Sequence, residues 1–322
     1  MLSKSSSKVL WIVLVVLVAL FLILKFTDRS ERTIRENLVS VDTARINRIE
    51  IKQPANGGHV ELLKKNGNWQ VKEQERFFKA DNRKVRSLLT EISALKPQSI
   101  AATSSEKWDK YKVSDSTGTR IQFKQGDEIR ADLILGRINF RVPKQESQNP
   151  YMRRQQEILM YVRPYEDENV YVTDGMVKLG LGSKPDDYRQ KMLCRVNADE
   201  IKSVDFSYPG KSSFTVRQQD NKWLLDDSPA DSAKTVNYVR KLKNAMGNRF
   251  IHDFNPENQN VYGKITINLD GRAPVVLTAY QTDSTHYIVH SSMNEESYFD
   301  GNSGKLFERY FVGKDTFEKG GS

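Results

Sequence analysis

The feature that most constrains the fold of this chain is a stretch that occurs twice. The first copy covers residues 46–95 and the second covers residues 201–246. Each copy has a strand-like run, a turn, a strand opened by a tryptophan, and a helical run that begins at an aspartate. The offset between the copies falls only from 155 residues at the first isoleucine to 150 residues at that aspartate, which small loop deletions explain. Such self-similarity predicts one module used twice.

Each copy has the pattern of an antiparallel hairpin followed by one long helix. In the first copy, strands at residues 60–64 and 69–71 flank Asn66-Gly67, a favoured two-residue turn. Asp81 is a good N-cap, and Pro97 predicts where the first helix ends. We expect the second helix over residues 231–246. Apolar residues at helical spacing predict the buried faces of the two helices: Val85, Leu88, Leu89, Ile92 and Leu95 in the first, and Val236, Val239, Leu242 and Met246 in the second.

Further strand-like runs follow the helix in both copies. The predicted fold class is therefore α+β: an N-terminal transmembrane helix, then two duplicated modules, each an antiparallel sheet with one long helix. The predicted domain division is a cytoplasmic N-terminus (1–8), a transmembrane signal anchor (9–26), a linker (27–43), a first module (44–195) and a second module (196–322).

The anchor prediction rests on an unbroken apolar run at residues 9–24, extended to residue 26 across Lys25. At about 1.5 Å per residue, such a helix would span about 27 Å, near the thickness of a bilayer core. The alternative is a cleaved signal peptide, which has a shorter apolar region followed by small residues. Here a charged segment follows instead. The residues assigned to the membrane are Val9, Trp11, Leu14, Leu17, Leu20, Phe21 and Leu24.

Positive residues lie on both sides of this run, and by a simple count the positive-inside rule would put the body in the cytoplasm. Long domains translocate largely regardless of nearby charge. We expect a single-pass protein of the bacterial inner membrane with its body on the periplasmic side.

Composition and motifs give no sign of catalysis or cofactor binding. The net charge is +9, but Lys and Arg are mixed with acids and form no dense block, so we expect no nucleic-acid partner. The single cysteine, Cys194, excludes an internal disulfide and a zinc site built on cysteines. His286 and His290 would share one face of a strand. They are either a weak metal site or ordinary strand surface. We expect no catalytic residue, no metal, no cofactor and no small-molecule substrate.

Two features remain as candidates for structure and binding. Trp69 and Trp223 stand at equivalent places and are predicted as core residues, the alternative being exposed binding anchors. Residues 137–159 are predicted as a loop, far longer than the roughly 2–5 residues that a hairpin requires. This segment is either a partner contact or a mobile insertion. Its candidate contact residues are Arg137, Phe140, Arg141, Tyr151, Arg153 and Arg154.

The chain also resembles a known family. The resemblance lies in the apolar N-terminal run and in several short motifs: Gly67-Asn-Trp-Gln-Val, Lys110-Tyr-Lys-Val, Leu133-Ile-Leu-Gly, Val170-Tyr-Val and Asn221-Lys-Trp-Leu-Leu. Together they resemble the bacterial envelope family called domain of unknown function four-three-four-zero, over roughly residues 46–254. The resemblance implies an association with auxiliary components of gliding-motility-type ABC transporters, and it supplies no catalytic residues.

The functional expectation is a non-enzymatic, membrane-anchored accessory or scaffold subunit in the bacterial envelope. Its expected partners are integral membrane transporter-type subunits, together with the inner membrane through the N-terminal helix. The alternatives are an enzyme or a glycan-binding protein that acts on envelope polymers.

Overall fold

The structure is a computed structural model that describes residues 14–19, 36–141 and 156–319. The strands before residue 180 are β1 (Arg48–Gln53), β2 (Gly58–Lys65), β3 (Asn68–Glu73), β4 (Arg76–Lys79), β5 (Ser99–Ala102), β6 (Thr119–Gln125), β7 (Glu128–Arg141), β8 (Glu157–Pro164) and β9 (Val170–Asp174). The later strands are β10 (Met192–Cys194), β11 (Ile201–Ser207), β12 (Phe214–Gln219), β13 (Lys222–Leu225), β14 (Ser228–Pro229), β15 (Ala245–Met246), β16 (Phe250–Ile251), β17 (Asn260–Leu269), β18 (Arg272–Gln281), β19 (Tyr287–Ser291) and β20 (Tyr298–Asp300).

The helices of residues 36–141 and 156–319 are short. They are α1 (Asn82–Ser93), α2 (Trp108–Tyr111), α3 (Met176–Gly180), α4 (Ser232–Leu242) and α5 (Leu306–Tyr310). The same residues also form seven single-turn 3₁₀ helices: Pro54–Asn56, Ser105–Lys107, Pro185–Asp187, Ala198–Glu200, Pro256–Asn258, Ser303–Lys305 and Lys314–Phe317.

Two nine-stranded antiparallel sheets with the same strand order form the body. The first runs β4-β3-β2-β1-β6-β7-β8-β9-β5, and the second runs β14-β13-β12-β11-β17-β18-β19-β20-β16. Each sheet has its own hydrophobic cluster, drawn from residues 38–188 for the first and residues 193–317 for the second. We call these two ranges module 1 and module 2.

Turn chemistry fixes the equivalent hairpins. In the β2–β3 turn, Asn66 and Gly67 have φ of 50° and 80°. In the β12–β13 turn, Asp220 and Asn221 have φ of 49° and 58°. Two consecutive positive φ values characterise the tight turns that match the twist of antiparallel strands, and Asn, Asp and Gly tolerate them best. The register of each hairpin follows from these residues.

The main helix of each module begins as the sequence predicts and ends earlier. The Asp81 carboxylate accepts hydrogen bonds from the backbone N–H groups of Arg83 and Lys84, and the Asp231 carboxylate accepts one from Lys234. The helices nevertheless have only 12 and 11 residues. The residues buried on α1 are Val85, Leu88, Leu89 and Ile92, whereas those buried on α4 are Thr235, Tyr238, Val239 and Leu242.

The last residues of the two predicted helices are not helical and pair with other segments of the chain. The Leu95 carbonyl accepts a hydrogen bond from the Leu38 N–H, and Ala245 pairs with Cys194 in the small β10–β15 sheet. In each module, therefore, the segment that enters the module pairs with the segment that leaves the helix. The predicted continuation of the second helix to Met246 is wrong for this reason. Val236 and Met246, predicted as buried, are exposed.

The predicted fold class is also wrong. The body is mostly β, built on two large antiparallel sheets, and neither module has a long helix. The predicted helices are too long because the last apolar residues at helical spacing lie in extended segments.

The predicted membrane anchor lies largely outside the described residues. Among the described residues, no helix is both long enough and apolar enough to cross a membrane. Of the predicted anchor, the structure describes residues 14–19, which include Leu14 and Leu17 and are helical and exposed. The remaining anchor residues lie outside the described residues: Val9, Trp11, Leu20, Phe21 and Leu24.

Candidate functional site

The β7–β8 hairpin of module 1 extends beyond its own sheet. On one side, β6 begins at Thr119, opposite Leu135 of β7, whereas β7 continues to Arg141 and pairs with β8 as far as Glu157. The predicted loop therefore begins as strand: residues 137–141 belong to β7, and residues 157–159 belong to β8. Tyr151, Arg153 and Arg154 lie outside the described residues.

Gly136 marks the point where β7 leaves the sheet. A Cβ atom at this position would lie 2.3 Å from the Tyr111 carbonyl oxygen and 2.6 Å from a Val113 methyl group. The absence of a side chain lets the chain after α2 cross β7 closely. The chain before β6 therefore lies over the face of β7 at Gly136.

The extended end of β7 is exposed and basic. Arg137, Asn139, Phe140 and Arg141 are all exposed, and Phe140 presents 60% of its surface. The Arg137 guanidinium lies 5.4 Å from the centre of the Tyr161 ring. Arg141 donates two hydrogen bonds to Glu157, an exposed pair that contributes little to stability. Exposed aromatic and arginine side chains are typical of protein interfaces.

The base of the hairpin is rigid. The buried Arg163 of β8 donates hydrogen bonds to the carbonyls of Val113 and Tyr165 and to the Asp115 carboxylate. Its guanidinium stacks 3.7 Å from the Trp108 ring. Burial lowers the pKa of Arg163, and the negative charge of Asp115 opposes this shift.

A second arginine completes the base. Arg120 of β6 lies 3.4 Å from the Tyr165 ring and makes two hydrogen bonds to Asp132 of β7. The hydrogen bond to Asp132 raises the pKa of Arg120. The two stacked arginines tie β6, β7 and β8 together at the place where the hairpin projects.

Lys178 of α3 lies where the β6–β7 ladder ends. Its amine donates hydrogen bonds to the Thr119 hydroxyl (2.5 Å) and to the Leu135 carbonyl (3.2 Å). Burial lowers the pKa of this amine to about 8. Two exposed apolar residues of α3, Met176 and Leu179, add apolar surface to this side of module 1.

The junction of the two modules holds a second cluster that the sequence did not reveal. Glu73 of β3, Asp186 and His252 offer ligand atoms that all lie within 4.8 Å of one another, the spacing of a metal site. Arg189 already lies among them, with Nη1 3.2 Å from both Glu73 Oε2 and Asp186 Oδ1. These three residues could hold a cation, but the guanidinium already neutralises the two carboxylates.

The same arginine joins the cores of the two modules. Its guanidinium stands 3.7 Å from the Phe78 ring of module 1 and 4.0 Å from the Phe250 ring of module 2. Its Nη2 donates to the Ser297 hydroxyl of module 2. Burial lowers the pKa of Arg189, and Asp186 and Glu73 oppose the shift. The arrangement is chemically suited to holding the modules in one orientation.

The other candidates from the sequence are dispersed. His286 faces Asp283, and His290 stacks on Tyr298 and contacts the Glu295 carbonyl. Burial lowers the pKa of His290. Trp69 and Trp223 are 4% and 7% exposed, so neither presents a ring to solvent as a binding platform.

Two cavities lie on the helix side of module 1. One, of about 500 Å³, is lined by Thr43, Ala44, Lys64, Gly67, Asn68, Trp69, Asn82, Arg86, Leu89 and Thr90. The other, of about 370 Å³, lies between the end of α1 and the start of α3 and is lined by Glu91, Ala94, Leu95, Lys96, Gln98, Thr173, Asp174, Met176 and Val177. The Thr173 hydroxyl is buried, and no atom of the described residues forms a hydrogen bond with it.

Comparison with known proteins identifies the family and nothing further. Neither the curated proteins nor the solved structures give a match. The model of the family described as Domain of unknown function (DUF4340) matches residues 69–264, from β3 of module 1 to β17 of module 2. This match confirms the family that the sequence resembles, and it does not show a link to gliding-motility transporters. With more than half of its length matched, the chain belongs to the DUF4340 family of domains of unknown function.

Proposed function

We propose that this protein is a non-enzymatic binding subunit of the bacterial envelope, and that the projecting β7–β8 hairpin contacts its protein partner. The observation that carries the proposal is the shape of this hairpin. It leaves a rigid sheet with an exposed end that carries Arg137, Phe140 and Arg141. Projecting segments on a rigid scaffold disproportionately carry function.

The two modules differ at this position, which supports the assignment. The corresponding hairpin of module 2, β18–β19, ends at Gln281 and Tyr287 and is fully paired within its own sheet. A projecting end is therefore not needed to complete the module. The partner class is integral transporter-type subunits, which the family resemblance implies.

A glycan-binding role on the two tryptophans is not favoured, because both rings are buried. Glycan binding would need other exposed aromatic residues.

The experiment replaces residues 140–158 with a short Gly-Ser turn in the full chain. Wild type and variant are recovered from detergent-solubilised membranes, and the copurifying integral membrane subunits are compared by mass spectrometry. We expect recovery of the partner to be lost while the melting temperature is unchanged. The matched control replaces residues 282–286, the equivalent turn of module 2, and should retain the partner. Intact folding with unchanged partner recovery in the first variant would contradict the proposal.

A further inference from the structure

The end of β7 has one paired edge and one open edge. Residues 138–141 pair with β8 on one side, and Arg137 lies in the register shift just before them. On the other side, no strand of residues 36–141 or 156–319 pairs with them, because β6 begins only at Thr119, opposite Leu135. An open strand edge presents backbone N–H and C=O groups that can template pairing with another chain.

The orientation of these groups follows from β8. The Ile158 carbonyl accepts a hydrogen bond from the Gly175 N–H at 2.8 Å, on the side of β8 away from β7. In an antiparallel pair, two opposed residues either both bond to each other or both point away. Phe140 is opposed to Ile158. The N–H and C=O of Phe140 therefore point to the open edge, as do those of Ile138, two residues earlier.

In module 2, the corresponding edge of β18 is covered by a strand of the same chain. There β17 begins at Asn260 and pairs in antiparallel fashion with β18 up to its last residue, Gln281. The chain covers its own edge. In module 1, the chain before β6 turns through α2 and crosses at Gly136 instead.

We propose that the open edge of β7 binds an extended segment of the partner protein as an added antiparallel strand. This inference rests on the proposed function and specifies how the hairpin binds. The segment carries carboxylates at alternate positions that face Arg137 and Arg141, and apolar residues on the face of Phe140. Strand addition of this kind takes its affinity from main-chain hydrogen bonds and its specificity from alternate side chains.

The charges argue for an acidic partner over a second copy of this chain. Antiparallel pairing of two β7 edges centred on Asn139 would place Arg137 of one copy opposite Arg141 of the other. Like charges directly opposed across strands are destabilising. Charged residues on an edge strand commonly prevent self-association in this way.

The test uses short, end-capped peptides as probes: one of alternating valine and glutamate, and one of alternating valine and lysine. The full chain is compared as wild type, Phe140→Pro and Phe140→Ala. Both variants remove the aromatic ring, but only proline removes the outward N–H. The difference between their affinities for the peptide therefore measures the contribution of this backbone hydrogen bond. We expect the glutamate peptide to bind Phe140→Pro about threefold to tenfold more weakly than Phe140→Ala, since one backbone hydrogen bond is lost.

Hydrogen exchange supplies an independent readout. The amides of Ile138 and Phe140 should gain protection when the glutamate peptide binds to the wild type, and the lysine peptide should bind far more weakly. Melting temperatures of the two variants should agree, because the Phe140 N–H has no role in the β7–β8 ladder.

Three outcomes would overturn strand addition: no binding of the glutamate peptide, equal binding by the proline and alanine variants, or self-association of the wild type through this edge. If the 140–158 replacement abolishes partner recovery while Phe140→Pro retains it, the hairpin is still the contact and only the strand mechanism fails. If neither change affects recovery, the proposed function fails as well.

Discussion

Trp69 and Trp223 occupy equivalent places in the two modules. Each is the second residue of the equivalent strand, β3 or β13. The carbonyl of each accepts a hydrogen bond at 3.0 Å from the N–H of an alanine just before the main helix, Ala80 or Ala230. Both rings lie in the hydrophobic cluster of their own module.

Replacement of either tryptophan with alanine should therefore destabilise the protein strongly. We expect Trp69→Ala and Trp223→Ala each to cost about 3–5 kcal/mol, the usual effect of deleting a buried aromatic side chain. Chemical denaturation monitored by circular dichroism measures the cost. The control is Phe140→Ala, at an exposed position, which should change stability by less than about 0.5 kcal/mol. Costs for the two tryptophan variants as small as the control would contradict the assignment.

The sequence predicted much of this architecture because local chemistry dictates it. The Asn66-Gly67 turn, the Asp81 cap and the aspartate that begins the second helix are all local signals. The repeat in the sequence corresponds to two sheets with one strand order.

The long-range pairings had no such signal. The small β10–β15 sheet joins residues about fifty positions apart, and no periodicity marks it. The junction cluster draws Glu73, Asp186, Arg189 and His252 from four separate segments, each ordinary in isolation. The open edge of β7 depends on where β6 begins, which Gly136 and the crossing at Tyr111 determine together.

Arg189 should be essential for the orientation of the two modules. Arg189→Met keeps the apolar volume between Phe78 and Phe250 but leaves Glu73 and Asp186 without their cation. Removing one partner of a buried ion pair typically costs about 3–5 kcal/mol. Since both carboxylates are partly exposed, we expect a loss near the lower end and faster proteolysis between the modules.

Arg189→Lys tests the geometry of the same contact. Lysine keeps the charge but lacks the planar group that stacks between two rings and reaches Ser297 as well. We expect an intermediate loss of stability. A lysine variant as stable as the wild type would show that charge alone holds the junction.

Lys178 should make stability depend on pH in the alkaline range. Burial lowers its pKa from a usual value of 10.5 to about 8 in the folded protein. Between these two values the unfolded chain binds more protons than the folded one, so the free energy of unfolding should rise with pH from about 8 to 10.5. Below pH 8 the full cost of burying a charged amine is present. Thermal melts across this range measure the slope.

Lys178→Met removes the titrating group and serves as the comparison. Between pH 8 and 10.5, the melting temperature of this variant should rise less with pH than that of the wild type. Its absolute stability also reflects the lost hydrogen bonds to Thr119 and Leu135, so the pH slope is the decisive quantity. Identical slopes in the two proteins would contradict the burial of this amine.

Cys194 should be inert to alkylation while module 2 is folded. It is fully buried beside Ala245, and burial raises the pKa of its thiol to about 12. The thiolate is the reactive form, so iodoacetamide at pH 8 should label the native protein negligibly and the denatured protein readily. Since this is the only cysteine, mass spectrometry of the intact chain reads the labelling directly. An exposed reference, Ser212→Cys in a Cys194→Ala background, should react without denaturant.

The rate of Cys194 labelling should also separate the two modules. The thiol belongs to the cluster of module 2, together with Trp223, whereas Trp69 belongs to the cluster of module 1. Local opening exposes a buried group less often when its own cooperative unit is more stable. Trp223→Ala should therefore accelerate labelling under native conditions far more than Trp69→Ala does. Equal acceleration would mean that the modules unfold together, and rapid labelling of the wild type at the rate of the Ser212→Cys reference would contradict the burial of the thiol.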